Sequence, residues 1–285
     1  MSIIEPRPSV TLCIPAHNEA ATISPLVRQL RNEAAQPGSL VDEILVIDDR
    51  STDSTAMLAR QAGARVVSTD DYCESFGGSV GKGDAIWTSL LVCETDLIGW
   101  VDADLTQRDK HLVDKMFSPL VESDDVVLVK GTFTRVANGV RRSGGRVTTL
   151  TARPLISLLF PELMQFSDPL SGMFAGRTYE LSSLWLDCDY GVDVGILLDV
   201  CRIHGIDAIR EVNLGEISHR SRSLEDLAGC ADMVTRAILV RSLLGGDAAV
   251  MGVPSSHIEL VAAAIGTRRI PPRQLRFAQG RDRMA

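Results

Sequence analysis

Leu97-Ile98-Gly99-Trp100-Val101 runs without a break into Asp102-Ala103-Asp104. An uninterrupted apolar run of this length reads as a strand buried on both faces, as in parallel sheets covered by helices. Two carboxylates one residue apart at its end are costly to leave unpaired. A strand end can aim both at one divalent cation, and hard cations usually share their oxygen ligands with substrate phosphates. Acidic triplets also occur in solvated turns, so the meaning of this one depends on its neighbours.

The neighbours repeat one pattern. Val10-Thr11-Leu12-Cys13-Ile14-Pro15 reads as a strand, Ala20 to Glu33 as a helix, Glu43 to Asp49 as a strand and Ser54 to Ala62 as a helix. Ala64 to Ser68 is a third strand, Gly83 to Cys93 a helix, Leu97 to Val101 the fourth strand and Val126 to Lys130 a fifth. This alternation predicts an α/β fold with a mainly parallel, Rossmann-like sheet and helices on both faces. In such sheets ligands bind beyond the carboxyl ends of the strands. Pro15, Asp48/Asp49 and Asp102/Asp104 all fall at such ends.

The second half changes character. A loop from Asn138 to Gly145 precedes a helix from Val147 to Phe160, which Pro154 should kink or split. Val192 to His204 and Leu224 to Leu244 are further helices. The expected division is a sheet-forming half over 1–131, a more helical half of the same globule over 132–245, and a basic extension over 246–285. Thr69 to Gly81, rich in Gly, Ser and Asp, reads as a mobile loop. The arginine-rich stretch Thr267 to Ala285 reads as a solvated or partly disordered end, with contact to a partner or a phosphate as the lesser alternative.

Composition narrows the classes. A net charge of −8 argues against a general nucleic-acid binder. No window approaches the roughly 20 apolar residues of a membrane span, and the N-terminus has no leader pattern. The six cysteines are scattered with no CxxC pair, which fits reduced thiols in a soluble cytoplasmic chain.

Three loops carry candidate chemistry. Pro15-Ala16-His17-Asn18-Glu19 can offer hydrogen bonds and free backbone N–H groups to a base or ribose, although Asn18 could equally cap a helix. In Asp48-Asp49-Arg50-Ser51-Thr52-Asp53-Ser54-Thr55, Asp53 or Thr52 suits a helix cap, whereas Asp49 suits an acceptor for a nucleotide. Lys82, between Gly81 and Gly83, can approach an anion at a helix N-terminus. The full phosphate-loop pattern GxxxxGK[ST] is absent.

With these residues in order, the sequence resembles the GT-A glycosyltransferases of family 2, nucleotide-sugar enzymes with a DxD metal site. Gly81-Lys82-Gly83-Asp84-Ala85-Ile86-Trp87, Gly144-Gly145-Arg146-Val147-Thr148, Ala152-Arg153-Pro154-Leu155, Tyr190-Gly191-Val192-Asp193-Val194-Gly195 and Val212-Asn213-Leu214-Gly215 resemble, more specifically, glucosyl-3-phosphoglycerate synthases. The resemblance spans roughly residues 9 to 245.

It implies a metal-dependent, retaining transfer of glucose from UDP-glucose to 3-phosphoglycerate by a homodimer. It implies that Pro15, Ala16, Asn18, Glu19, Asp49, Lys82, Asp102 and Ala103 bind the donor nucleotide. Asp104 and His219 would ligate Mg²⁺ or Mn²⁺, with Asp102 near the ribose or sugar. Gly145, Arg146, Val147, Thr148 and Ser221 would hold a small anionic acceptor, and Gly172, Met173 and Asp193 would line the sugar pocket. Asp102, Asp104, Lys82 and Asp193 would serve catalysis. An arginine grips carboxylate or phosphate in two-pronged fashion, and a glycine admits close backbone approach, which agrees with Arg146 and Gly145.

Three positions depart from the family. Its DSD is Asp102-Ala103-Asp104 here, its Gly-Glu is Gly172-Met173, and its YGVE is Tyr190-Gly191-Val192-Asp193. The first spares both carboxylates. The other two remove or shorten a carboxylate in the expected sugar pocket, where a hydrogen-bonding site is sensitive to lost partners. A different donor sugar or acceptor on the same fold is therefore the main alternative. A sugar-phosphate nucleotidyltransferase would show a Gly-rich N-terminal loop that Ile14-Pro15-Ala16-His17-Asn18 is not. A non-catalytic nucleotide-sugar binder would bind without turnover.

Overall fold

The computed structural model describes residues 7–106, 108–137, 140–217, 224–245, 266–268 and 270. The first half follows the expected alternation: β1 (Val10–Ala16), α1 (Ile23–Ala34), β2 (Glu43–Asp48), α2 (Thr55–Gln61), β3 (Arg65–Ser68), α3 (Asp70–Cys73), α4 (Lys82–Val92) and β4 (Leu97–Trp100). Then come α5 (Leu112–Glu122), β5 (Leu128–Ala137), β6 (Val140–Ser143), a π-helical turn (Thr148–Ala152) and α6 (Arg153–Leu159). β7 (Phe174–Arg177), α7 (Thr178–Ser182), β8 (Leu186–Asp187), α8 (Val192–His204), β9 (Ile209–Ile217), α9 (Leu224–Gly245) and β10 (Thr267–Arg268) complete the described chain.

One large sheet runs β3-β2-β1-β4-β7-β5-β6, with β9 beside β5. Strands β3, β2, β1 and β4 are mutually parallel, β7 is antiparallel to both β4 and β5, and β9 is parallel to β5. The sheet is covered on both faces, and the continuous apolar runs serve both. In β2, Leu45 and Ile47 pack in one cluster with residues of α4 and α8, while Ile44 and Val46 pack in the other with residues of α1 and α5. This is the arrangement that buried parallel strands require.

Several elements depart from the sequence reading. No element was expected between the acidic triplet and Val126, yet α5 forms there, burying Leu112, Val113, Met116, Phe117 and Leu120 at helical spacing. Pro119 inside it disguises the pattern. The stretch Thr69 to Gly81, expected as a mobile loop, instead contains α3 and a 3₁₀ turn (Glu74–Phe76). Its short helix is held because Cys73 is buried in the core and Asp70 and Asp71 lie in the first turn, where negative charge is favoured. The helix expected over Val147 to Phe160 does split near Pro154, which stands in the first turn of α6 behind the π-helical turn.

The arginine-rich end is described at Thr267, Arg268 and Ile270. Within that stretch Thr267 and Arg268 form β10, antiparallel to β8; Thr267 is half-buried and Arg268 is buried against Asp84. Residues 271–285 lie outside the described ones. All six cysteines are free thiols. Among the described residues, no helix is long and apolar enough to cross a membrane.

Helix α9 is latched to the body by charge. The Arg241 guanidinium pairs with Asp187 at 2.8 Å and Asp199 at 2.9 Å, all three side chains being nearly inaccessible. A Cβ at Gly195 would overlap the Asp187 carboxylate and stand 2.7 Å from Arg241 Nη2, so the second glycine of the Tyr190–Gly195 segment makes room for this latch. Removing one partner of a buried pair leaves uncompensated charge. Arg241→Met is expected to destabilise the protein by about 3–5 kcal/mol, read as a lowered urea midpoint.

Candidate active site

Register brings the sequence signals together. Pro15 and Ala16 pair with Ile47 and Asp48, and Cys13 pairs with Trp100, so the carboxyl ends of β1, β2 and β4 lie side by side. The loops beyond β1 and β2 are then sewn to each other. Asn18 adopts a left-handed φ of 55°, a region asparagine tolerates. Its side-chain oxygen accepts from Thr52 N at 2.8 Å, and its backbone N donates to Ser51 Oγ at 2.9 Å. Helix α1 begins only at Ile23, behind Thr22, so Asn18 ties the two loops and caps no helix. Glu19 N donates to Thr55 Oγ1 at 2.8 Å, and Asp53 accepts from Ala20 N and from Thr55 N at the start of α2.

Asp49 is held within this frame. It accepts from Ser79 Oγ at 2.7 Å, Arg50 Nε at 3.0 Å and Thr69 Oγ1 at 3.1 Å. Burial alone would raise its carboxyl, but the Arg50 guanidinium and the two hydroxyls outweigh it and hold it below the usual carboxylate range.

The centre of the site is Lys82, the first residue of α4. Its Nζ donates to both carboxylate oxygens of Asp193, at 2.8 and 3.0 Å. Burial penalises the ammonium, yet Asp193 and Asp102 outweigh it and keep the amine above the ordinary lysine range. Gly172 allows the convergence: a Cβ there would overlap Lys82 Nζ and stand 3.0 Å from Asp102 Oδ1. Lys82, Asp102, Gly172 and Asp193 therefore meet at one place.

Lys130, in β5, is a member that the sequence reading missed. It is wholly buried, its Nζ donating to Ser171 O at 2.7 Å and Asp193 O at 3.2 Å and standing 4.8 Å from the Phe174 ring centre. Burial pushes this amine down to about 8, with Asp193 opposing the shift and the Lys82 ammonium adding to it. The signal was present. Lys130 ends the apolar run from Val126, and charge closing an apolar run is what singled out Asp48 and Asp102.

Among the residues expected to hold an acceptor, Thr148 is buried and its Oγ1 donates to Asp168 Oδ1 at 3.0 Å, while Asp168 O accepts from Ser171 N at 3.0 Å. The turn from Asp168 to Gly172 thus links Thr148 to the two lysines. Arg146 is exposed just before the π-helical turn, Val147 is half-buried beside it, and Gly145 O accepts from Thr149 N. Met173, expected in the sugar pocket, has no exposed surface. Its side chain packs among apolar residues that include Val129, Ala175 and Leu214. Alternation along the strand carries it to the face opposite Phe174. Of the two departures in the expected sugar pocket, only Asp193 stands among the charged groups. His219 and Ser221 lie outside the described residues.

Among the described residues, no group of three or more His, Cys, Asp or Glu side chains gathers to hold a metal. Asp102 and Asp104 are half-buried with Ala103 buried between them, two carboxylates just past the end of β4. This donor set fits a cation shared with substrate phosphates, which takes only one or two protein carboxylates.

A parallel sheet with two stitched loops at its carboxyl end, a carboxylate pair on the adjacent strand and a buried lysine–carboxylate centre defines a nucleotide-sugar transferase of the GT-A type. The chain belongs to glycosyl transferase family 2, whose family model matches residues 11–180. It is similar to glucosyl-3-phosphoglycerate synthase of Mycolicibacterium smegmatis, 39% identical over 241 residues covering 82% of this chain and 77% of that one. It is also similar to the synthase of Mycobacterium tuberculosis, 36% identical over 259 residues covering 88% and 76%. A crystal structure of the tuberculosis enzyme with Mn²⁺, UDP-glucose and phosphoglyceric acid aligns with a TM-score of 0.75 over 82% of this chain and 80% of that one, at 36% identity. Another, with Mg²⁺ and UDP, aligns with a TM-score of 0.74 over 82% and 79%, at the same identity.

Proposed function

We propose that this glycosyltransferase moves glucose from UDP-glucose to 3-phosphoglycerate, with retention of anomeric configuration, using Mg²⁺ or Mn²⁺. The observation that carries the reading is the convergence of Lys82, Asp102 and Asp193 at Gly172, beside the loops of β1 and β2. Pro15, Ala16, Asn18, Glu19 and Asp49 hold the nucleotide, and Asp104, with His219, holds the cation. When bound, the cation neutralises charge on the departing diphosphate. Lys82 places a second positive charge there, preorganised by Asp193 and shielded from water.

Arg146, Gly145 and Ser221 hold the acceptor's anionic groups, and Thr148 braces the turn that carries Gly172. The acceptor hydroxyl attacks the anomeric carbon on the face the diphosphate leaves. The bond from that carbon to the phosphate oxygen breaks with its electron pair, and the hydroxyl proton passes to the departing oxygen. This route requires no covalent nucleophile, which suits an Asp193 carboxylate already engaged by Lys82.

The test is to incubate the protein with UDP-glucose, 3-phosphoglycerate and Mn²⁺. Expected are equimolar UDP and an α-linked glucosyl-3-phosphoglycerate by NMR. Pyrophosphate release from UTP and glucose 1-phosphate would instead identify a nucleotidyltransferase. UDP release with another acceptor, but none with 3-phosphoglycerate, would overturn the acceptor.

A homodimer is part of this reading. The exposed Leu150 lies in the π-helical turn, the exposed Leu158 on α6, and the exposed Leu239 and Leu243 on α9, which packs against α6. Light scattering giving the monomer mass would overturn it. The six free thiols support a reducing, cytoplasmic setting.

A further inference from the structure

The end of the described chain returns to the donor side of the molecule. β10 pairs with β8 in the register Thr267↔Asp187 and Arg268↔Leu186, and Cys188 N donates to Gly266 O at 2.9 Å. This delivers Arg268 to the first turn of α4, 5.8 Å from the Trp87 ring centre. There its guanidinium makes a two-pronged pair with the fully buried Asp84, one arm through Nε–Oδ1 and the other through Nη2–Oδ2 at 3.1 Å. The same Nη2 donates to Gly78 O at 2.8 Å.

The segment between these contacts is pinned residue by residue. Gly78 is held through its carbonyl by Arg268. Ser79 donates its hydroxyl to Asp49 at 2.7 Å. Val80 N donates to Asp84 Oδ2 at 2.6 Å. Two residues later comes Lys82. Beneath it, a Cβ at Gly83 would overlap the Asp187 carbonyl oxygen, and Asp84 N donates to Cys188 O at 3.1 Å, so the helix start rests directly on the strand that β10 pairs with. One guanidinium therefore stands behind both a nucleotide-side carboxylate, Asp49, and the central lysine.

We infer that Arg268 is a positioning residue for the donor site: from the C-terminal extension it fixes the 78–81 segment, and with it Asp49 and Lys82, in the arrangement that meets a nucleotide diphosphate sugar. The inference rests on reading that site as the donor site. Its physical basis is that Asp84 has no exposed surface, so without Arg268 its buried carboxylate loses its ion-pair partner and keeps the Val80 N–H. The relief open to it is movement of the 78–84 segment toward water, which displaces Ser79 from Asp49 and shifts Lys82. Arginine is suited to the position because its planar fork reaches a carboxylate and a carbonyl together, which lysine's single ammonium does not do in the same geometry.

The test uses the full chain with Arg268→Ala and Arg268→Lys. Binding of UDP with Mn²⁺ is measured by calorimetry, steady-state constants are measured for donor and acceptor, and amide exchange is followed along the chain. Expected is a loss of UDP·Mn²⁺ affinity of about tenfold or more, the scale seen when supporting residues behind a site are removed. The donor KM should rise while the acceptor KM stays within about twofold, and exchange should accelerate over 78–84 without change in α9. A folded variant that binds UDP·Mn²⁺ like wild type, with only a lowered Tm, would overturn the inference. Should Arg268→Ala not fold, Arg268→Lys decides by the same readouts. If wild type binds UDP·Mn²⁺ but does not glucosylate 3-phosphoglycerate, the acceptor reading falls and the binding arm still decides for Arg268. If wild type binds no UDP·Mn²⁺, both fall.

Discussion

Asp104→Ala is expected to lower glucosyl transfer by on the order of a hundred- to a thousandfold at saturating UDP-glucose and Mn²⁺, with little change in melting temperature. Asp104 is half-buried just past β4, and its neighbour Asp102 lies beside Lys82 at Gly172. In the proposed reaction the two carboxylates divide the work, Asp104 holding the cation and Asp102 facing the sugar side. Removing Asp104 takes away one of the few protein ligands such a shared cation has. The measurement is the initial rate of UDP release across a Mn²⁺ titration, alongside a circular-dichroism melt. A rate near wild type at saturating metal would remove Asp104 from the metal site.

Lys82→Ala should be the more damaging substitution, because it acts on stability and on reaction together. The Lys82 and Asp193 side chains are only 15% and 8% exposed. Truncating the lysine leaves a buried carboxylate whose partner is gone, an uncompensated charge that costs about 3–5 kcal/mol. It also removes the ammonium set to meet the departing diphosphate, worth on the order of a hundred- to a thousandfold in rate. A double-mutant cycle separates the two. Lys82→Ala combined with Asp193→Ala should recover part of the lost stability, measured by urea unfolding, while transfer stays low. A coupling energy indistinguishable from zero would show that the pair does not hold α4 to α8.

Both predictions concern residues that could be picked out by reading along the chain, and the reason is local. Asp102, Asp104, Asp48 and Asp49 stand where apolar runs stop, and Lys82 stands between glycines at a helix start. Such boundaries are visible in one dimension because charge inside a buried strand is costly unless a partner meets it. The alternation of strands and helices was legible for the same reason, since burial of both sheet faces writes a continuous apolar run into each strand. Where local signals conflicted, the reading failed. Pro119 hid the apolar spacing of α5, and the polar composition of Thr69 to Gly81 hid the buried Cys73 that holds α3 in place.

The candidate site shows the same boundary between local and long-range information. Met173 looked like a pocket residue because it replaces a carboxylate of the family, yet strand alternation turns it into the core beside Leu214. Lys130 looked like the end of a strand, yet the turn at Ser171 and the start of α8 close over its amine.

The alternation of strands and helices, the ligand end of the sheet, the carboxylate pair and the lysine at α4 were determined by the sequence alone, because each depends on residues within a few positions of one another. Only the tertiary structure decided that Lys82 is gripped by Asp193, 111 positions away, that Lys130 lies buried beneath that pair, and that an arginine from the basic C-terminal extension is drawn in to Asp84. Contacts over such separations depend on chain closure and on the high cost of burying a lone charge. No local pattern of residues records which distant partner will meet that cost.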